Sequence, residues 1–111
     1  MGRHILYARY SPEGLAGVHK DSYSSRIDIN KRMVESVGGN LESLYYLQGG
    51  EFNFFIIADL PSDDVIFAML ARARATGLYE HVEARRLLTA EEADRAISTE
   101  YEWTAPGDAT S

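Results

Sequence analysis

Three residues of one short segment have the types and spacing for proton transfer on an acidic organic molecule. They are His81, Glu83 and Arg85, within residues 78–87 (LYEHVEARRL). In a strand they alternate onto one face, while Glu80, Val82, Ala84 and Arg86 take the other. Imidazole is the side chain whose ordinary pKa lies near neutrality. A carboxylate beside it can orient it as a base, and a guanidinium can anchor an anion. The same pattern also describes a solvated edge strand, whose cross-strand ion pairs each contribute less than about 1 kcal/mol.

A second group lies in the apolar run HILYARY, residues 4–10, where Tyr7 and Arg9 share a face. An unpaired charge in such a run is costly to bury. Arg9 must therefore meet a partner such as Glu83 or line a polar cavity. Tyr45, Tyr46, Phe52, Phe54 and Phe55 can wall such a cavity, and aromatic lining with a few convergent polar groups suits a small molecule. An ordinary sheet core with a snorkelling arginine has the same composition. Asn53, at the start of an apolar stretch, can be an oxyanion donor or a cap on the preceding turn. The candidates are thus catalytic His81 and Glu83, with Tyr7, Arg9, Tyr45, Phe52, Asn53, Phe55 and Arg85 for substrate.

Other chemistry finds little support. The chain has no cysteine, which excludes disulfides, thiolate nucleophiles and Cys-based metal sites. His4, His19 and His81 lack metal-ligand spacing, although His4 and His81 stand on strands expected to be neighbours. No metal and no cofactor are expected. Arg72 and Arg74 fall on a different face from the strand arginines and read as solvated.

The elements that must position these residues follow from local signals. Residues 4–10 read as a strand that ends at Ser11-Pro12, a helix start. Gly14, Gly17 and the serines of 22–25 predict a short helix, a break, and a main helix over 23–37 with Ile29, Met33, Val34 and Val37 as its apolar stripe. Gly38-Gly39 ends it. Residues 40–47 and 52–60 read as a hairpin around Gln48-Gly49-Gly50-Glu51. Pro61 and Ser62-Asp63-Asp64 open a helix over 62–76, with Val65, Ile66, Met69, Leu70 and Ala73 as its buried stripe. A charged edge strand spans 78–87, and Thr89-Ala90-Glu91-Glu92 is a capping box starting a third helix. One domain over 1–103 and a disordered tail over 104–111 are expected.

The order βαββαβ is the split βαβ arrangement of a ferredoxin-like α+β fold, a four-stranded antiparallel sheet with both long helices on one face, here with an extra C-terminal helix. The third strand is apolar on both sides, with Phe52, Phe54, Ile56 and Ala58 on one and Phe55 and Ile57 on the other. The open face then needs its own cover. A second copy packed sheet to sheet, closing a dimeric α+β barrel, supplies one; Tyr101 and Trp103 folding back would supply another.

Lys and Arg number 11 against 17 Asp and Glu, a formal net charge of −6. With no Lys/Arg-rich stretch, a nucleic-acid partner is not expected. No apolar run reaches the roughly 20 residues of a membrane helix, and the N-terminus lacks a signal-peptide core. A cytoplasmic protein is expected.

Residues 37–61 (VGGNLESLYYLQGGEFNFFIIADLP) resemble the central block of the bacterial GYD-domain family: a helix ending in Gly-Gly, a strand, a Gly-x-Tyr-Asp turn, and an aliphatic strand closed by an acid and Pro. Tyr10-Ser11-Pro12-Glu13-Gly14, Arg26 and residues 86–92 (RLLTAEE) fit the same order, so the resemblance spans nearly all of 4–98. The namesake turn departs: here it is Gly50-Glu51-Phe52-Asn53, without the phenol and the carboxylate. The resemblance implies the ferredoxin-like fold and a homo-oligomer. By analogy with other dimeric α+β barrels it implies a small apolar or aromatic metabolite as ligand, with cofactor-independent isomerase, cyclase or oxygenase chemistry. The alternative is a non-catalytic homo-oligomeric assembly module.

Overall fold

The computed structural model describes residues 2–108. Strand β1 (Gly2–Tyr10) is followed by helices α1 (Pro12–Asp21) and α2 (Tyr23–Ser36), the hairpin strands β2 (Asn40–Tyr46) and β3 (Phe54–Leu60), helix α3 (Asp63–Ala75), strand β4 (Tyr79–Arg86) and helix α4 (Ala90–Ile97). The sheet order is β2-β3-β1-β4 and every ladder is antiparallel, as the split βαβ pattern requires.

Capping chemistry sets the boundaries. The Ser11 hydroxyl accepts from the Gly14 N–H at 3.1 Å, with Pro12 in the first turn of α1. Ser22 breaks the helical region: it ends α1 and caps α2, its hydroxyl accepting from the Ser25 N–H, at a backbone φ of 111°. Gly38, at φ 82°, and Gly39 close α2 through their N–H groups to Glu35 and Val34 carbonyls. Ser62 caps α3. Thr89 and Glu92 form the reciprocal capping box of α4.

The core lies between the sheet and the helices. It is built from Ala8 and Tyr10 of β1, Phe54, Ile56, Ala58 and Leu60 of β3, Val82 of β4, Val18 and Val34. Strand alternation delivers these side chains to one face, because β1 and β3 are the two central strands. Helix α4 buries no residue. Ile97, Tyr101 and Trp103 remain 86%, 71% and 64% exposed, so the aromatic pair does not cover the sheet. The molecule measures 61 × 29 × 26 Å, about twice the reach of its longest strand along one axis. Of the expected tail, residues 109–111 lie outside the described residues.

Two sequence expectations change. Strand β3 begins at Phe54 rather than 52, because the Asn53 N–H bonds to the Ala8 carbonyl while its side chain turns to Tyr10. Phe52 therefore leaves the alternation and lies on the face opposite Phe54. Met33, in the apolar stripe of α2, is 45% exposed, whereas Asn30, on the same side of the helix, is buried.

Candidate functional site

The sheet face away from the helices carries most of the candidates. Register places Tyr45, Phe55, Tyr7 and Glu83 in one row across β2, β3, β1 and β4, and Ser43, Ile57, Ile5 and Arg85 in the next. Ring centroids are 6.0 Å apart for Tyr45 and Phe55, 6.2 Å for Phe55 and Tyr7, and 5.2 Å for Tyr7 and Phe52. Phe52 reaches on to His81 at 5.7 Å. The His81 Nε2 lies 3.5 Å from a Glu83 oxygen, and Arg85 bonds the other Glu83 oxygen at 2.9 Å. His81, Glu83 and Arg85 thus do share a face, next to an aromatic band. None of the three lines the cleft between α2 and α3.

Arg9 does not meet Glu83. A register shift in the β1–β4 ladder between Arg9 and Tyr10 leaves Glu80 as an extra residue, and Glu80 turns to Arg9 at 3.3 Å. Arg9 is 41% exposed and also donates to the Glu51 carbonyl, so its charge remains in water despite the central strand. Asn53 acts as a tie: its Oδ1 accepts from the Tyr10 N–H at 2.6 Å. His4 sits on the helix side opposite Arg86, its Nδ1 against the Gly2 carbonyl, five strand positions from the residue that faces His81. Among the described residues no group of three or more His, Asp or Glu gathers as metal ligands.

An open cleft lies on the other side of the sheet. Helix α2 lies over β2 and α3 over β4, and between them opens a cleft of about 610 Å³. Leu6, Ala8, Phe54, Ile56 and Val82 form its floor, and Met69 and Ala73 of α3 one wall. Arg26 and Asn30 of α2 bring polar groups to the opposite wall. For this reason α3 has no fully buried residue. Arg26 is 18% exposed in its side chain, and its nearest carboxylate, Asp21, is 3.9 Å away. Its Nε and the Tyr10 hydroxyl are both buried without a hydrogen-bond partner among the described residues. Burial raises the Tyr10 phenol far above its ordinary pKa, and the nearby Arg26 charge opposes that only in part. Tyr46, whose hydroxyl donates to the Tyr23 carbonyl, is raised by burial in the same way.

Sequence reasoning missed this cleft. The available signal was the spacing of Arg26, Asn30 and Val34, which puts two polar residues on the inward stripe of a helix.

The strand order, the antiparallel ladders and the helix layer on one face define a ferredoxin-like α+β domain with an added C-terminal helix. The model of the GYD domain matches residues 4–97, and the chain belongs to that family. No curated protein matches the chain. Among the described residues no helix is long and apolar enough to cross a membrane.

Proposed function

We propose that this GYD domain binds a small, predominantly apolar molecule in the cleft between α2 and α3, and that a second copy covers its open sheet face. The observation that carries the reading is the cleft itself, about 610 Å³ floored by core side chains that the two helices flank without closing. That volume falls within the range of small-molecule pockets, and its lining is mostly aliphatic and aromatic. Support for the second copy comes from the band of Tyr45, Phe55, Tyr7, Phe52, Ile57 and Ile5, an apolar surface on a sheet whose other face already holds the helices.

A second reading rests on a different observation, the contact of His81 with both Glu83 and Phe52. There the sheet face takes the ligand: His81 moves a proton with Glu83 behind it, and Arg85 and Arg9 hold an anionic substrate edge beside Tyr7, Phe55 and Tyr45. Isomerase, cyclase or oxygenase chemistry without a cofactor would then depend on the His81–Glu83 pair, and Asn53 would serve only to hold the loop.

Native mass spectrometry of the purified full chain tests the first reading. A dimer carrying added mass that is lost on mild activation is the expected result. A dimer without ligand, whose cleft takes up no apolar probe, would leave a non-catalytic assembly module as the better description.

A further inference from the structure

Arg26 is the less exposed of the two arginines that line the cleft, and its surroundings are incomplete. Its side chain is largely withdrawn from water, its Nε is buried without a partner among the described residues, and its only carboxylate contact is long and directed outward to exposed Asp21. A guanidinium in such a setting is costly unless an anion completes it. Beside it the Tyr10 ring is stacked between Phe54 and Tyr79, at 5.2 and 5.1 Å, with its hydroxyl buried against the Arg26 side chain. Phe54, Tyr79 and Arg26 all line the cleft. Asn30, one turn along α2, is buried and donates to the Arg26 carbonyl, which fixes the backbone from which the guanidinium extends.

The charge of the lining agrees. Against an overall formal charge of −6, the charged residues of the cleft are two arginines, Arg26 and Arg72, and one carboxylate, Asp64. The cleft is a locally cationic spot on an acidic protein.

We propose that the Arg26 end of the cleft is a carboxylate site, so that the molecule held there is an apolar monocarboxylic acid with Arg26 as its charge partner and Tyr10, packed against Arg26, as the residue that positions the guanidinium. This rests on the cleft being a binding site. The tail of the acid lies over Leu6, Ala8, Ile56 and Val82, and its head meets the Arg26 guanidinium where that side chain lines the cleft. Two oxygens on one carbon suit the paired N–H groups of a guanidinium, and charge-assisted bonds of this kind are about twice as strong as neutral ones. Burial opposes ionisation of the Tyr10 phenol, so it does not neutralise the guanidinium beside it.

Octanoate and octan-1-ol, titrated into the full chain by calorimetry, test the proposal with Arg26→Gln and Tyr10→Phe. Both substitutions preserve most of the side-chain volume, and thermal melts confirm that each variant is folded. The expected result is that octanoate binds more tightly than octan-1-ol. Arg26→Gln weakens octanoate by about tenfold or more and Tyr10→Phe by about threefold, while octan-1-ol changes by less than about twofold in either. Equal binding of acid and alcohol, unchanged in both variants, would overturn the carboxylate site and leave the cleft reading standing. Failure of both probes to bind the wild-type chain would overturn both.

Discussion

The side chain of Asn53 accepts a 2.6 Å hydrogen bond from the backbone N–H of Tyr10, joining the β2–β3 loop to the end of the central strand. Asn53 stands where the related turn carries an aspartate, so the departure keeps an acceptor at that position and removes its charge. The bond also orients Tyr10, whose ring enters the core and whose hydroxyl stands beside Arg26. Asn53→Ala strands a buried N–H and is expected to cost about 1–3 kcal/mol in urea unfolding. Asn53→Asp, which retains the acceptor, should lose much less. Equal losses would mean that the bond does not hold the loop.

Two glycines of α1 should respond in opposite directions. A Cβ on Gly14 would overlap the Leu78 carbonyl oxygen, whereas one on Gly17 meets nothing within 4 Å. Gly14→Ala should destabilise by about 1–3 kcal/mol through forced displacement of the α3–β4 connection. Gly17→Ala should stabilise by about 0.5–1 kcal/mol through helix propensity. Denaturant midpoints decide both.

Acid should weaken the edges of the fold first. The Glu42 carboxylate is held below its ordinary pKa by the paired 2.7 Å hydrogen bonds from Arg3, and Glu92 chiefly by the Thr89 backbone N–H. A carboxylate lowered on folding stabilises fully above its unfolded value, about 4.3 for glutamate. That contribution disappears as pH falls through the folded value. Melting temperature should therefore decline below about pH 4, less steeply in Glu42→Gln. An identical decline in the variant would show that the Arg3–Glu42 pair contributes nothing.

Ile57 stands at the middle of the open sheet face, between Ser43 and Ile5. Ile57→Lys places like charges on both sides of a sheet-to-sheet contact. Light scattering should then change from a dimer to the 12.4 kDa chain. A variant that remains dimeric would place the contact elsewhere, with the exposed Ile97, Tyr101 and Trp103 region as the next surface to test.

The fold was legible because its signals are local. Ser11-Pro12, Gly38-Gly39, Ser62-Asp63-Asp64 and the Thr89–Glu92 box each mark a boundary through a hydrogen bond that one or two residues determine. The grouping of His81, Glu83 and Arg85 follows from strand alternation in the same way. The partner of Arg9 was not legible, because a one-residue register shift between two strands brings Glu80 to it instead of Glu83. Nor was the side taken by Phe52, which depends on where the β3 ladder stops. The cleft was hidden for a further reason. It arises from the spacing between α2 and α3, which is set by their separate packing on β2 and β4 rather than by either helix sequence alone.

The most direct test of the central claim is a fluorescence titration of N-phenyl-1-naphthylamine into the wild-type chain and into Ala73→Phe, which adds an aromatic ring to the cleft wall. The account predicts saturable binding at one site per chain in the wild type. In a variant that still melts cooperatively, affinity should fall by about tenfold or more, because overpacking by a ring leaves little room for the probe. Equal affinity in the two proteins, or no saturable binding in either, would contradict the claim that the cleft between α2 and α3 is the ligand site.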